Sequence, residues 1–183
     1  MDWSKFDKQA DLDQIKKDYE EAKENGGTGE YEEVPKGKYI VEIENMEIKG
    51  TKTTNEPMFS VMCRIVEAVT MDADGEKIKG NIEAINFIDK FKNGKKPCIF
   101  FNRKIYGNKE SDKWNDGKAI GTVTGWLDKL ETETIPEFKN YSQFADCVLD
   151  IFEECQEYKL QLEVDYDSEK FNPISIKEVF EAE

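Results

Sequence analysis

The hydrophobic residues of this chain change period twice, and that change limits the folds open to it. Near the N-terminus Leu12, Ile15, Tyr19 and Ala22 recur at helical spacing. From Tyr39 the period drops to two: Tyr39, Val41 and Ile43 alternate with polar residues, and Phe59, Val61, Cys63 and Ile65 do so again. Helical spacing returns with Ile120, Val123, Leu127 and Leu130, and then with Phe144, Val148, Ile151 and Phe152. The chain closes on its cleanest alternation, Leu160, Leu162, Val164 and Tyr166 against Lys159, Gln161, Glu163 and Asp165, followed by Ile174, Ile176 and Val179. A period of 2 sends alternate side chains to opposite faces of a strand, whereas a period of 3.6 lines them along one stripe of a helix.

The pattern predicts a helix near 11–25, with Asp11 as N-cap, Gln14 completing a capping box and Gly26-Gly27 as the stop. Strands follow from Tyr39, over Phe59–Ile65, at about 81–89 and at about 98–106. Ile40 interrupts the first alternation, so that strand is expected to be buried on both faces for part of its length. Two helices come next, one after Asp116 as cap and one at about 142–155 with Ser142 as cap. Turns are expected at Asp72–Gly75 and near Asp167–Glu169, where Asp chemistry favours them. The expected fold class is α+β, an OB-like antiparallel β-barrel with two helices inserted before the last two strands. An amphipathic helical arm precedes it, so residues 1–35 form an arm and linker and 36–183 the domain. Other small α+β barrels share this order.

Charge is segregated along the chain. The formal net charge is −14 over 183 residues. Residues 1–35 carry a net −6 and residues 140–183 a net −9, which leaves the middle near neutral at +1. Within that middle, Lys90–Lys109 holds seven basic side chains and no acidic one, interleaved with Phe91, Phe100, Phe101 and Tyr106. Cations that hold phosphates and rings that stack bases are what a single nucleic-acid strand requires. Alternation places Phe100, Lys104 and Tyr106 on one face of the strand, and Phe101, Arg103 and Ile105 on the other. The row Ile99, Phe101 and Ile105 is the more apolar and is expected inside. The expected nucleic-acid-binding residues are therefore Phe100, Lys104 and Tyr106 with Lys92, Lys95, Lys96, Lys109 and Trp114 from the adjoining loops. The alternative is an edge strand kept from pairing by its lysines.

The chain has no histidine, which removes the commonest general base and histidine-based nucleophile pairs. No glycine-rich phosphate loop precedes a helix. Asp72, Asp74 and Glu76 begin like a calcium loop without its closing ligands. Asp165, Asp167 and Glu169 are the residues a metal-dependent nuclease would use. Both groups sit at expected turns. Cys63, Cys98, Cys147 and Cys155 lack paired spacing and read as small buried hydrophobes. No catalytic residue, metal or cofactor is assigned, and the chain is expected not to be an enzyme. No apolar run approaches the ~20 residues of a membrane span, and the N-terminus has no apolar signal-peptide core. The expectation is a cytoplasmic protein with no membrane partner.

Several stretches, WSKFDKQADLDQIKKDYEEAKENGGTGEYEEVPKGKYIVEIE, EPMFSVMCRIVE and CIFFNRKIYG followed by GTVTGWLDKLE, resemble a family of small acidic phage and prophage proteins of Gram-positive bacteria. That family was long catalogued only as a domain of unknown function, and its members are regarded as single-stranded-DNA-binding-like. The resemblance implies a non-enzymatic protein of phage replication or recombination, acting in the bacterial host cytoplasm on single-stranded DNA. Phage origin also supplies an alternative: an anti-CRISPR protein whose acidic, DNA-mimicking surface binds a type II guide-RNA nuclease.

Overall fold

The structure is a computed structural model that describes Ser4 and residues 11–24, 32–72, 74–78, 80–107 and 113–183. The chain divides into two compact units, residues 1–33 and 34–183. In the first, α1 runs Leu12–Glu24. Asp11 caps it, its Oδ1 accepting the Gln14 N–H at 3.2 Å. The reciprocal half of the expected capping box is not made, because the Gln14 amide donates to Asp18 Oδ1 at 2.8 Å instead. The Gly26-Gly27 stop lies outside the described residues.

The second unit contains β1 (Gly37–Gly50), β2 (Pro57–Ala68), α2 (Ile82–Asp89), β3 (Cys98–Lys104), α3 (Lys113–Asp128), α4 (Tyr141–Glu157), β4 (Leu160–Tyr166) and β5 (Ile174–Glu181). The strands form one sheet in the order β3-β2-β1-β4-β5, and every pairing is antiparallel. The long β1 sits at its centre. Its first half pairs with β4 while nearly its whole length pairs with β2, and register shifts at Ile40/Val41 and Ile43/Asn45 bend it between the two. Ile40 is only half-buried, so β1 presents one buried face, not two.

The sheet is not closed. β3 and β5 are its edges, and the barrel expected from the sequence is not formed as a continuous ladder. At the start of β5 the Ile174 carbonyl is occupied by the Trp126 indole N–H of α3 at 3.0 Å, where a closing strand would otherwise donate. The core lies between the sheet and the helices packed on it. Tyr39, Val41, Phe59, Val61, Cys63, Phe101, Val123, Leu127, Phe144, Val148, Ile151, Leu162 and Val164 are fully buried in it. Phe59, Phe101 and Trp126 meet edge-to-face or tilted at 5.7–6.0 Å, an arrangement the ring quadrupole favours.

The expected strand at 81–89 is a helix. Ala84, Phe87 and Ile88 are its buried residues, a spacing of i, i+3, i+4. In so short an apolar run the two periods are hard to tell apart. Two expected caps also shift. α3 begins at Lys113, which puts Asp116 in its first turn, and α4 is capped by Asn140, whose side chain accepts the Gln143 N–H at 2.8 Å, rather than by Ser142. The Asp72 turn forms as expected: Asp72 Oδ1 accepts the N–H groups of Asp74 and Glu76 at 3.0 and 2.9 Å, and Gly75 takes the positive φ of 79°. No helix among the described residues is long and apolar enough to cross a membrane.

Candidate nucleic-acid interface

Among the described residues β3 pairs with β2 alone, so its two faces alternate and its other edge carries no ladder. Ile99, Phe101 and Ile105 are buried, and Phe100, on the opposite face, is 51 % exposed. Across the ladder Phe100 stands opposite Met62, Asn102 opposite Ser60 and Lys104 opposite Met58. The Ser60 hydroxyl donates to Asn102 Oδ1 at 2.7 Å. The outer face of β2–β3 therefore offers one exposed ring on a mixed polar and thioether floor.

Beyond the C-terminal end of β3 the surface deepens into an open groove of about 600 Å³. Arg103, Lys104 and Tyr106 form one wall, Asn115 and Asp116 at the start of α3 a second, and Glu169, Lys170 and Phe171 of the β4–β5 turn a third, so two carboxylates stand among its three cations. The Arg103 guanidinium lies 3.6 Å from the centroid of the exposed Phe171 ring. Burial lowers the pKa of Arg103 from the usual arginine value. Tyr106 is half-exposed and meets Tyr141 edge-on at 5.8 Å, and the Tyr141 hydroxyl donates to the Ile105 carbonyl at 2.9 Å. The chain leaving β3 is thereby held against α4.

The eight residues expected to bind nucleic acid are not brought to one place. Phe100 lies mid-strand, and Lys104 and Tyr106 lie at the groove. Lys92, Lys95 and Lys96 lie before the opposite end of a seven-residue strand, roughly 20 Å away at ~3.3 Å per residue. Trp114 falls in the first turn of α3, not in a loop, and Lys109 lies outside the described residues. Much of the positive charge is also answered locally. Lys104 pairs with the buried Glu56 carboxylate, Lys95 faces Glu44 at 3.9 Å, and Lys92 faces Asp89 at 4.0 Å. Glu44 also takes Arg64 at 2.5 Å and the Cys98 thiol at 3.2 Å. The Arg64 hydrogen bond, with help from Cys98, holds the Glu44 carboxyl below its ordinary pKa. Burial first, and the Glu44 hydrogen bond second, push the Cys98 thiol up to about 11.

Arg103, Lys170, Phe171 and Glu56 were not singled out from the sequence. Phe171 carried a readable signal, a bulky ring outside any hydrophobic period and beside a lysine in a turn. Arg103 carried none, because alternation assigned it to the inner face, where it is half-buried at the sheet margin.

The two aspartates of the candidate nuclease trio are engaged by lysines and backbone. Asp165 Oδ1 accepts from Lys38 Nζ at 2.8 Å, and Asp167 faces Lys36 at 3.7 Å while accepting the Glu169 N–H at 3.1 Å. Among the described residues no group of three or more cysteine, aspartate or glutamate side chains is placed to hold a metal ion.

No curated protein and no solved structure matches the chain. Residues 18–103, just under half of the 183, match the model of a family described as a protein of unknown function, DUF669. The matched stretch contains β1, β2, α2 and β3 as far as Arg103, and stops short of Tyr106, α3 and the Lys170–Phe171 turn. The chain is similar to that uncharacterised family over its central strands, while two of the three groove walls lie outside the likeness.

Proposed function

We propose that this protein is a non-enzymatic binder of single-stranded DNA that engages the strand across the outer face of β2–β3 and the groove at the end of β3, in phage DNA replication or recombination. One observation carries the reading: Phe100 stands exposed on a strand whose neighbouring ring is core, in line with a groove walled by Arg103 on Phe171, Lys104, Tyr106 and Lys170. Stacking rings with cations alongside is the chemistry of sequence-tolerant single-strand binding. The strand order supports it too. In an OB-type fold the ligand lies on the face of strands 2 and 3 and on the loops between strands 1–2 and 4–5. Closing β3 onto β5 in the observed order would give that barrel.

The test is a fluorescence anisotropy titration with labelled oligo-dT at low salt, then at rising salt. Binding that weakens linearly in log–log form, as counterion release requires, supports the reading. An absence of binding at low salt refutes it.

A second reading has its own observation. Asp146, Asp150, Glu153 and Glu157 are exposed and recur every three or four residues, so they form one carboxylate stripe along α4. A neighbouring loop is pinned beside that stripe by Glu154, which accepts the N–H groups of Glu133 and Thr134 at 2.7 and 2.9 Å. Such a surface suits a DNA-mimicking inhibitor of a type II CRISPR nuclease. Guided cleavage measured with and without the protein separates the two readings, since a mimic slows cleavage without binding oligo-dT.

A further inference from the structure

A second cavity, of about 430 Å³, lies on the other side of the β4–β5 turn, and Lys170 lines both it and the groove. Lys36, Lys38 and Lys177 complete its positive border. They come from the entry to β1, from β1 itself and from β5, stretches far apart in sequence. Three carboxylates oppose these four lysines. Asp165 holds Lys38 at 2.8 Å with one oxygen and Lys177 at 3.6 Å with the other, Asp167 faces Lys36 at 3.7 Å, and Glu83 lines the wall. The cavity therefore keeps an excess of positive charge within a chain of net charge −14. Lysine ammonium groups are compact charges on flexible stems, so they can turn from a carboxylate to a phosphate without moving the backbone.

We infer that this cavity is a second phosphate-holding station on the same strand. The bound nucleic acid runs along the outer face of β3, through the groove, around the β4–β5 turn at Lys170 and into the lysine cavity. Asp165 then occupies, in the free protein, the place a phosphate takes in the complex. The inference rests on the single-strand reading above and adds to it the direction of the strand and a longer footprint.

The test is anisotropy of the full chain with oligo-dT of about 6 and about 20 nucleotides, which bracket the ~4–16 nucleotides such a fold covers. Lys36 and Lys177 are 76 % and 48 % exposed at the side chain, so neutralising both (Lys36→Gln with Lys177→Gln) leaves thermal unfolding nearly unchanged. The double variant is expected to bind the longer oligonucleotide more weakly. Its slope of log affinity against log salt is expected to fall by about 1.4, at ~0.7 per lost phosphate contact, with the short one unaffected. Asp165→Asn is expected to tighten binding of the longer one. An unchanged slope in the double variant, or an equal loss with both lengths, overturns the second station while the first stands. Failure of the unaltered protein to bind either length instead overturns the single-strand reading itself, and the second station with it.

Discussion

Phe100 and Phe101 are adjacent in sequence and opposite in consequence, which makes them the sharpest test of the site. Phe101 is fully buried and packs edge-to-face on Phe59 at 5.7 Å and on Trp126 at 6.0 Å. Phe→Ala in such a place costs about 3–5 kcal/mol from lost transfer free energy and the cavity left behind. The two ring contacts, each worth ~0.5–1.5 kcal/mol beyond area, place Phe101→Ala toward the upper end. In a domain of this size 1 kcal/mol moves Tm by about 2–4 °C, so a fall of roughly 6–20 °C is expected. Phe100 is 51 % exposed, and Phe100→Ala should stay within about 0.5 kcal/mol of the unaltered protein. Its loss should appear in binding instead. One stacked base is worth ~1–3 kcal/mol, or roughly a 5- to 150-fold rise in Kd for oligo-dT. Urea unfolding and anisotropy on the two variants read both quantities. If Phe100→Ala destabilises the fold as much as Phe101→Ala, the assignment of faces is refuted. If it is stable and binds oligo-dT unchanged, the stacking role is refuted.

Three further expectations concern the supports of the fold. Asn81 is buried, accepts the Lys38 N–H at 2.8 Å and donates to the carbonyls of Lys38 and Val69 at 3.1 and 2.6 Å. Asn81→Ala leaves the Lys38 N–H and the Val69 carbonyl unanswered, while the Lys38 carbonyl keeps the Val69 N–H at 2.9 Å, and a loss of about 1–3 kcal/mol in urea unfolding is expected, with no change counting against the reading. Glu44, held below its ordinary pKa chiefly by Arg64, contributes stability that is present above the ordinary carboxylate value of about 4.3 and is lost as pH falls through its folded value. The Glu44 side chain is about one-third exposed, so the effect is modest. Arg64→Ala should flatten the acid limb of the Tm–pH profile, and identical limbs would contradict the assignment. Burial raises the pKa of Glu154, but the hydrogen bonds from Thr134 and Glu133 outweigh it and hold the carboxyl low. Glu154→Ala should release the 131–140 loop, read as faster backbone amide exchange at Glu133 and Thr134. Exchange as slow as in the unaltered protein would show that the loop is held by other means.

The hydrophobic period alone separated Phe101 from Phe100 and placed β2, β4 and α4, because each is long enough for its apolar face to repeat and each face is buried by the sheet or the helices on it. It fails at 81–89, where the eight residues Ile82–Asp89 fit both periods. There the choice falls to Asn81, whose bonds to Lys38, 43 residues away, and Val69, 12 away, tie the head of α2 to the rim of the sheet. The charge pattern located a basic strand but not what its cations face. Glu56 beside Lys104, Glu44 beside Lys95 and Arg103 on Phe171 are pairings across strands and turns, and local sequence carries no record of them. Composition and period thus determined which faces are core and which segment is positive. The tertiary structure decided where the rings and the cations come together, because Arg103 and Phe171, 68 residues apart in the chain, meet only when the β4–β5 turn is brought to the end of β3.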